Sequence, residues 1–358
     1  MTTFESIISG KSKGFLPGVA RRALGGLSLL YRAGTGARNF LYDRKLLNQA
    51  RLPCPVISVG NLTVGGTGKT PLVEYIARHF IKSGRRVVIL SRGYRARKTP
   101  GGIRNDEAEV LAANVPDAAH IQSKNRVTAG IRAVRRHRPH CIILDDGFQH
   151  RRLKRDLDIL VIDAANPFGH GRLLPRGLLR EPKRCARRAH GIVISKCDEA
   201  EPRDVERIEK TLAETAPGAE IFRAVYAPVA IEPLSEDDGA MAPEEARGRR
   251  VFAFCGIGAG RSFHASLEKL GCDVAKMMEF PDHHRYTGKD IDRIKKEFAA
   301  SDAEFAITTQ KDAVKLKSYS LPRVFFLKIE MEFPDSGGGF PAFLNKIINQ
   351  GEGDRPPA

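Results

Sequence analysis

Residues 59–70 read Val-Gly-Asn-Leu-Thr-Val-Gly-Gly-Thr-Gly-Lys-Thr, an apolar run entering a glycine-rich turn that ends in Lys69 and Thr70. Glycines let backbone N–H groups close around phosphate oxygens, and a helix starting at the lysine turns its positive end toward the anion. On this reading Thr63, Val64, Gly65, Gly66, Thr67, Gly68, Lys69 and Thr70 hold the phosphates of a nucleotide. Lys69 neutralises charge on the β- and γ-phosphates, and the Thr70 hydroxyl binds Mg²⁺. The strict pattern places glycine where Thr63 stands, so the loop follows the variant Gly-Gly-x-Gly-Lys-Thr form.

A second acidic element belongs with such a loop. Cys141–Leu144 is an apolar strand whose end carries Asp145, placed to hold Mg²⁺ directly or through water, and Asp146 follows. Two adjacent carboxylates at a strand end can divide metal binding and proton transfer between them. Ser195-Lys-Cys-Asp198 also follows an apolar strand and is similar to the guanine-reading Asn-Lys-x-Asp motif. That leaves a GTPase or metallochaperone-like ATPase as an alternative, although position 195 is Ser and Val64 stands where many variant loops carry Lys. Gly256-Ile-Gly-Ala-Gly260 hints at dinucleotide binding without the full spacing or a ribose-binding acid.

The elements that must position these residues alternate. Strands are expected at 55–59, 87–90, 141–144, 159–162 and 192–194, with helices at 70–83 and 126–137. Short, fully apolar strands separated by helices specify an α/β fold: a mostly parallel sheet of the P-loop NTPase type with helices on both faces. Ligands of such sheets gather at the C-terminal strand ends. Residues 227–250, rich in Pro, Glu, Asp, Gly and Ala, read as a linker or exposed loop. Strands near 251–255, 304–308 and 324–329 then give a smaller C-terminal α/β domain over 251–350, after a P-loop core over 41–226.

With 59 basic residues against 42 acidic, the net charge of +17 points to an anionic partner. Residues 1–51 hold nine Lys or Arg against Glu5 and Asp43. Within residues 1–40 the most apolar stretch, 15–31, is interrupted by Arg21 and Arg22, so it suits a segment lying along a membrane surface, or equally an ordinary surface helix packed on the body of the protein, rather than one spanning a bilayer. The six cysteines are scattered with no CxxC pair, which suits a reducing compartment. Nucleic acid is not expected: no recognisable binding module is present, and there is no Trp.

Together the motifs resemble the tetraacyldisaccharide 4'-kinase family. The resemblance rests on the segment Arg51–Pro71, on Ser91-Arg-Gly-Tyr94, Leu144-Asp-Asp-Gly-Phe-Gln-His150 and Leu173–Pro182. It continues through Phe254-Cys-Gly-Ile-Gly258, Phe280-Pro-Asp-His283 and Gln310-Lys-Asp-Ala-Val-Lys315. It implies transfer of the γ-phosphate of ATP, with Mg²⁺, to the 4'-hydroxyl of a tetraacyldisaccharide 1-phosphate, giving lipid IVA. The implied partners are that anionic acylated disaccharide phosphate and the inner membrane surface, at its cytoplasmic face in a peripheral or monotopic manner, with no obligate protein partner. The family's catalytic Asp corresponds to Asp106 and its His to His283, one on each side of the expected linker. The usual Gly before the Asp is Asn105 here, and the usual Pro after the Glu is Ala108. Glu181 matches an acidic position near the metal, and Arg92 and Arg126 match basic positions suited to the sugar phosphate or to ATP.

Overall fold

The computed structural model describes residues 3–93, 97–99, 102–258, 260–334 and 339–351; Tyr94 of the Ser-Arg-Gly-Tyr motif lies outside them. In chain order the elements are α1 (Thr3–Ile8), α2 (Phe15–Asp43), β1 (Val56–Asn61), α3 (Lys69–Lys82), β2 (Val87–Ser91), β3 (Arg97–Thr99), β4 (Gly102–Arg104) and α4 (Asp106–Asn114). There follow β5 (Ala119–Gln122), α5 (Arg126–His137), β6 (Cys141–Asp145), β7 (Leu157–Asp163), β8 (Gly191–Ser195), α6 (Pro202–Thr215), β9 (Glu220–Arg223) and β10 (Val225–Pro233). The last are β11 (Arg250–Cys255), α7 (Gly260–Lys269), β12 (Asp273–Glu279), α8 (Gly288–Ala299), β13 (Phe305–Thr309), α9 (Gln310–Leu316), β14 (Val324–Glu332) and α10 (Gly339–Gly351). The chain divides into two compact units: 1–92 with 117–225 and 333–358, and 93–116 with 226–332.

The first unit is built on a seven-stranded sheet of order β5-β2-β6-β1-β7-β8-β9, every adjacent pair parallel. Its central strands are buried along their length, which is why they read as unbroken apolar runs. Helix α3 lays Leu72, Val73, Ile76, Ala77 and Phe80 against the sheet, a stripe at helical spacing. The two edge strands were not legible in the sequence. Ala-His-Ile-Gln in β5 and Glu-Ile-Phe-Arg in β9 are short, polar and only half-buried, so no apolar run marks them.

The second unit carries a five-stranded sheet of order β10-β14-β13-β11-β12. Alternate residues of β11 feed two different cores: Val251, Ala253 and Cys255 enter one, Phe252 and Phe254 the other. Period two on a sheet covered on both sides has that result. The expected linker at 227–250 needs correction, because its first part is strand β10. Its Ile231 is fully buried, but Pro228 and Pro233 and the acidic run after them hid the pattern. Proline is tolerated there because β10 is an edge strand.

Residues 93–116 correct a second expectation. They leave the first sheet after β2 and contribute α4, which packs on α9. Asn114 and Gln310 exchange amide hydrogen bonds at 3.0 and 2.7 Å across that helix pair. Asp106 therefore belongs to the same unit as His283, although 177 residues separate them.

Candidate active site

In the first unit, β1 delivers the chain into the phosphate loop, and α3 leaves it at Lys69. Gly65 and Gly68 have φ of 120° and 84°, the left-handed region that excludes most side chains, so the loop's course depends on glycine at both. Gly65 and Gly66 are exposed, and a Cβ on either would meet nothing within 4 Å; the loop thus presents bare backbone to an incoming group. No acidic residue occupies the first turn of α3, so none of the helix's own side chains there offsets its positive end.

Two contacts brace the loop from beneath. Asn61 Nδ2 donates to Thr67 Oγ1 at 2.8 Å, and the fully buried Ser195 Oγ donates to the Thr67 carbonyl at 3.0 Å. Segment 173–180 braces it from the side: Val64 N–H donates to Leu178 O, Arg180 N–H to Leu62 O, and Thr63 bridges Leu179. Thr63, the departure from the strict pattern, thus sits in a short strand-like pairing that a non-glycine residue adopts readily.

Asp145 ends β6 in a buried position, and Asp146 turns the chain with φ 53°. Arg180 Nη1 lies 2.8 Å from both Asp146 oxygens, Lys69 Nζ is 3.7 Å from Oδ1, and Arg126 Nη1 donates to the Asp146 carbonyl at 2.8 Å. Burial would raise the Asp146 carboxyl, but Lys69, Arg180 and Arg126 together hold it below the usual carboxylate range. Such a carboxylate is a poor proton acceptor and a good anchor for the cations around it. Gly147 follows because a Cβ there would stand 2.5 Å from Ser58 Oγ, and Gly60 because a Cβ would stand 2.6 Å from Phe148.

Glu181, expected near a metal, is instead committed within the protein. It is 1% exposed, accepts from Asn39 Nδ2 at 2.7 Å and pairs with Arg188 at 2.6 Å. It also lies 3.5 Å from Gln149 Nε2, which donates to the Asn61 carbonyl at the mouth of the loop. Arg126 is buried and Arg92 exposed just beyond β2. His150, crowded by burial and by Arg126, Arg155, Arg152 and Arg38, is pushed down to about 4 and stays neutral at neutral pH. In the Ser195-Lys-Cys-Asp198 segment, Lys196 Nζ is held by Asp163 at 2.8 Å.

In the second unit, Asn105 caps α4 by accepting the Ala108 N–H at 3.1 Å, which accounts for Asn in place of the usual Gly. Asp106 opens the helix, and its Oδ2 is 3.4 Å from His283 Nδ1. His283 adopts φ 61°, with its N–H bonded to Gly256 O at 3.1 Å and its Nε2 3.8 Å from Asp282. The neighbouring His284 stacks on Phe280 at 4.7 Å and faces Asp290 at 3.2 Å, a structural placement. Burial would raise the Asp106 carboxyl, yet the His283 hydrogen bond, Lys315 and Lys311 bring it below the ordinary range. Reasoning from motifs gave no role to Arg180, Gln149 and Lys315 and a different one to Ser195. All four stood in quoted motifs, but their partners come from distant segments of the chain.

The sequence model of the family described as "Tetraacyldisaccharide-1-P 4'-kinase" matches residues 20–349. The tetraacyldisaccharide 4'-kinase of Anaeromyxobacter dehalogenans (strain 2CP-C) is 42% identical over 313 residues, 82% of this chain and 82% of that protein. That of Syntrophus aciditrophicus (strain SB) is 40% identical over 331 residues, 85% of this chain and 87% of that protein. The crystal structure of the "apo" form of LpxK from Aquifex aeolicus in complex with ATP matches with a TM-score of 0.72 and 34% identity, over 93% of this chain and 99% of that one.

Proposed function

The chain belongs to the tetraacyldisaccharide-1-P 4'-kinase family, and on that premise we propose that its phosphate loop holds ATP while the Asp106–His283 pair takes the proton from the accepting hydroxyl. The reaction is ATP-dependent phosphorylation of the 4'-hydroxyl of a tetraacyldisaccharide 1-phosphate, a step of lipid A biosynthesis that yields lipid IVA. The single observation carrying the assignment of roles is the 3.4 Å approach of His283 Nδ1 to Asp106 Oδ2. A carboxylate on one ring nitrogen orients the imidazole and leaves the other nitrogen to accept a proton.

In the first unit, Lys69 and the open backbone of 65–68 receive the phosphates, and Lys69 stabilises charge that grows during transfer. Arg180 and Lys69 hold Asp146, so the loop's lysine stays pointed along the strand ends. Thr70 and Asp145 would hold Mg²⁺, whose charge would offset that of the phosphates. Thr70 and Asp145 are hard oxygen donors beside the loop, and two protein ligands completed by phosphate and water suit that ion. Glu181 acts at one remove, by fixing Gln149 and through it the carbonyl of Asn61. Arg92 and Arg126 supply charge for phosphate groups.

Helix α2 supplies a membrane contact. Its Phe15, Leu16, Leu29 and Leu30 are 66–82% exposed, interleaved with Arg21, Arg22 and Arg32, and no helix among the described residues is long and apolar enough to cross a bilayer. An amphipathic, basic helix of this kind lies in the interface at the cytoplasmic face, where ATP and anionic lipid meet.

The test is a double-mutant cycle on kcat/KM, following label from γ-phosphate ATP into the lipid. Asp106→Asn and His283→Ala each lower the rate strongly, and the double variant is little worse than the worse single, since groups acting as one unit are non-additive. Losses that multiply would mean independent action and remove the pair as proton acceptor.

A further inference from the structure

Lys315 lies in the last turn of α9, and its side chain is 6% exposed. Its Nζ is 2.6 Å from Asp312 Oδ1 and 3.9 Å from Asp106 Oδ2, and it donates to the His284 carbonyl at 3.3 Å. A buried ammonium is retained only where charge and hydrogen bonds answer it, and here two carboxylates do. Asp312 is fully buried and accepts the Gly256 N–H and the Thr309 hydroxyl, each at 2.8 Å. The Gly256 carbonyl in turn accepts the N–H of His283. One lysine therefore reaches both members of the pair, Asp106 through space and His283 through Asp312 and Gly256. His283 needs such a hold, because its positive φ is uncommon for a residue with a side chain.

We propose that Lys315 is a positioning residue for the Asp106–His283 pair, turning Asp106 Oδ2 toward the imidazole and keeping a positive charge beside it. The inference rests on the reading that this pair accepts the hydroxyl proton. Among the described residues, the other titratable groups around the pair and its lysine are Asp282, 3.8 Å from His283 Nε2, Lys311 on α9, which is 3.5 Å from Glu107, and Tyr286, whose ring lies 5.5 Å from Lys315 Nζ. The pair binds its proton as a unit, so the acid limb of the rate profile reports both groups together. A positive charge beside it weakens proton binding and places that limb at lower pH. Removing the charge moves the limb to higher pH. Removing Asp312, which competes for the lysine, moves it the other way.

The experiment measures kcat and KM against pH on the full chain for wild type, Lys315→Met, Asp312→Asn, Asp106→Asn and His283→Ala. In Lys315→Met the acid limb rises by about one unit. At the wild-type midpoint kcat then falls about fivefold and recovers as pH is raised, because a one-unit shift leaves roughly a tenth of the pair free of its proton there. The KM for ATP stays within about twofold, since nucleotide is held by the other unit. In Asp312→Asn the limb falls. A lysine that only packs would lower the rate equally at every pH in both variants, and that result overturns the proposal. If Lys315→Met alone does not fold, the Lys315→Met, Asp312→Asn double variant removes both buried charges, and its limb must lie above that of Asp312→Asn. Inactive Asp106→Asn and His283→Ala with an unmoved limb refute the role of Lys315 alone. Full activity in those two variants refutes the proton-accepting pair and this inference with it.

Discussion

Lys69→Ala removes the ammonium that faces both the phosphate loop and Asp146, 3.7 Å away. Phosphoryl transfer is expected to fall by at least about two orders of magnitude, as when a preorganised charge donor is deleted. The thermal midpoint should change little, because Arg180 still holds the Asp146 carboxylate at 2.8 Å when the lysine is gone. Single-turnover transfer and a melting curve check the two halves. Ser195→Ala is subtler. It strands the Thr67 carbonyl, which costs about 1–3 kcal/mol when such a group stays buried. The expected result is weaker ATP binding by isothermal titration, with the affinity for lipid unchanged. The sequence suggested a guanine-reading role for this segment, and motif spacing could not show otherwise. In the structure Ser195 points under the loop and Lys196 is held by Asp163, so both have a bracing role, and the family to which the chain belongs favours ATP. ATP should accordingly outcompete GTP in displacement of a labelled nucleotide, and a clear preference for GTP would revive the GTPase alternative.

At the scale of elements, α2 is tied to the first unit by a few polar anchors rather than by a broad apolar face. Ser28 donates to Leu173 O at 2.7 Å, Tyr31 to Arg180 O at 3.0 Å, and Asn39 to Glu181 at 2.7 Å. Only Asn39 and Tyr42 of its residues are buried. Glu181→Ala would leave Arg188 buried without its carboxylate, a loss of about 3–5 kcal/mol for a broken buried pair. Denaturant melts should show that loss, and proteolysis should show α2 released first. Leu29→Asp with Leu30→Asp should instead spare stability and abolish cosedimentation with anionic vesicles, leaving the KM for ATP intact. The central strands and α3 and α5 were legible because apolar runs and helical stripes are local properties. The edge strands β5, β9 and β10 were not, since pairing on one side only lets polar residues and proline stand in them. The place of α4 was hidden for another reason. Its attachment to α9 depends on an amide pair between Asn114 and Gln310, 196 residues apart, which no local pattern encodes.

For the whole molecule, the net charge of +17 predicts a salt response that separates two kinds of binding. Docking on anionic vesicles should weaken steeply between about 0.05 and 0.5 M salt, as the Debye length shrinks from over 10 Å to a few ångströms. Nucleotide binding, enclosed by loop backbone, should change far less, and parallel titrations by cosedimentation and calorimetry would show whether it does. The interleaving of the two units along the chain also bears on how the protein is made. The first unit includes α10, whose Phe340 is fully buried and whose Phe343 closes over Gly191, where an added Cβ would stand 2.6 Å from the ring. The second unit needs α4, translated more than a hundred residues before the strands it joins. A ribosome must therefore carry a nascent chain with the seven strands of the first sheet already outside, while the second unit waits for residues up to 332 and the first for α10, near residue 344. Stalled chains ending before α10 should stay protease-sensitive throughout the first unit and become resistant together once that helix clears the exit tunnel.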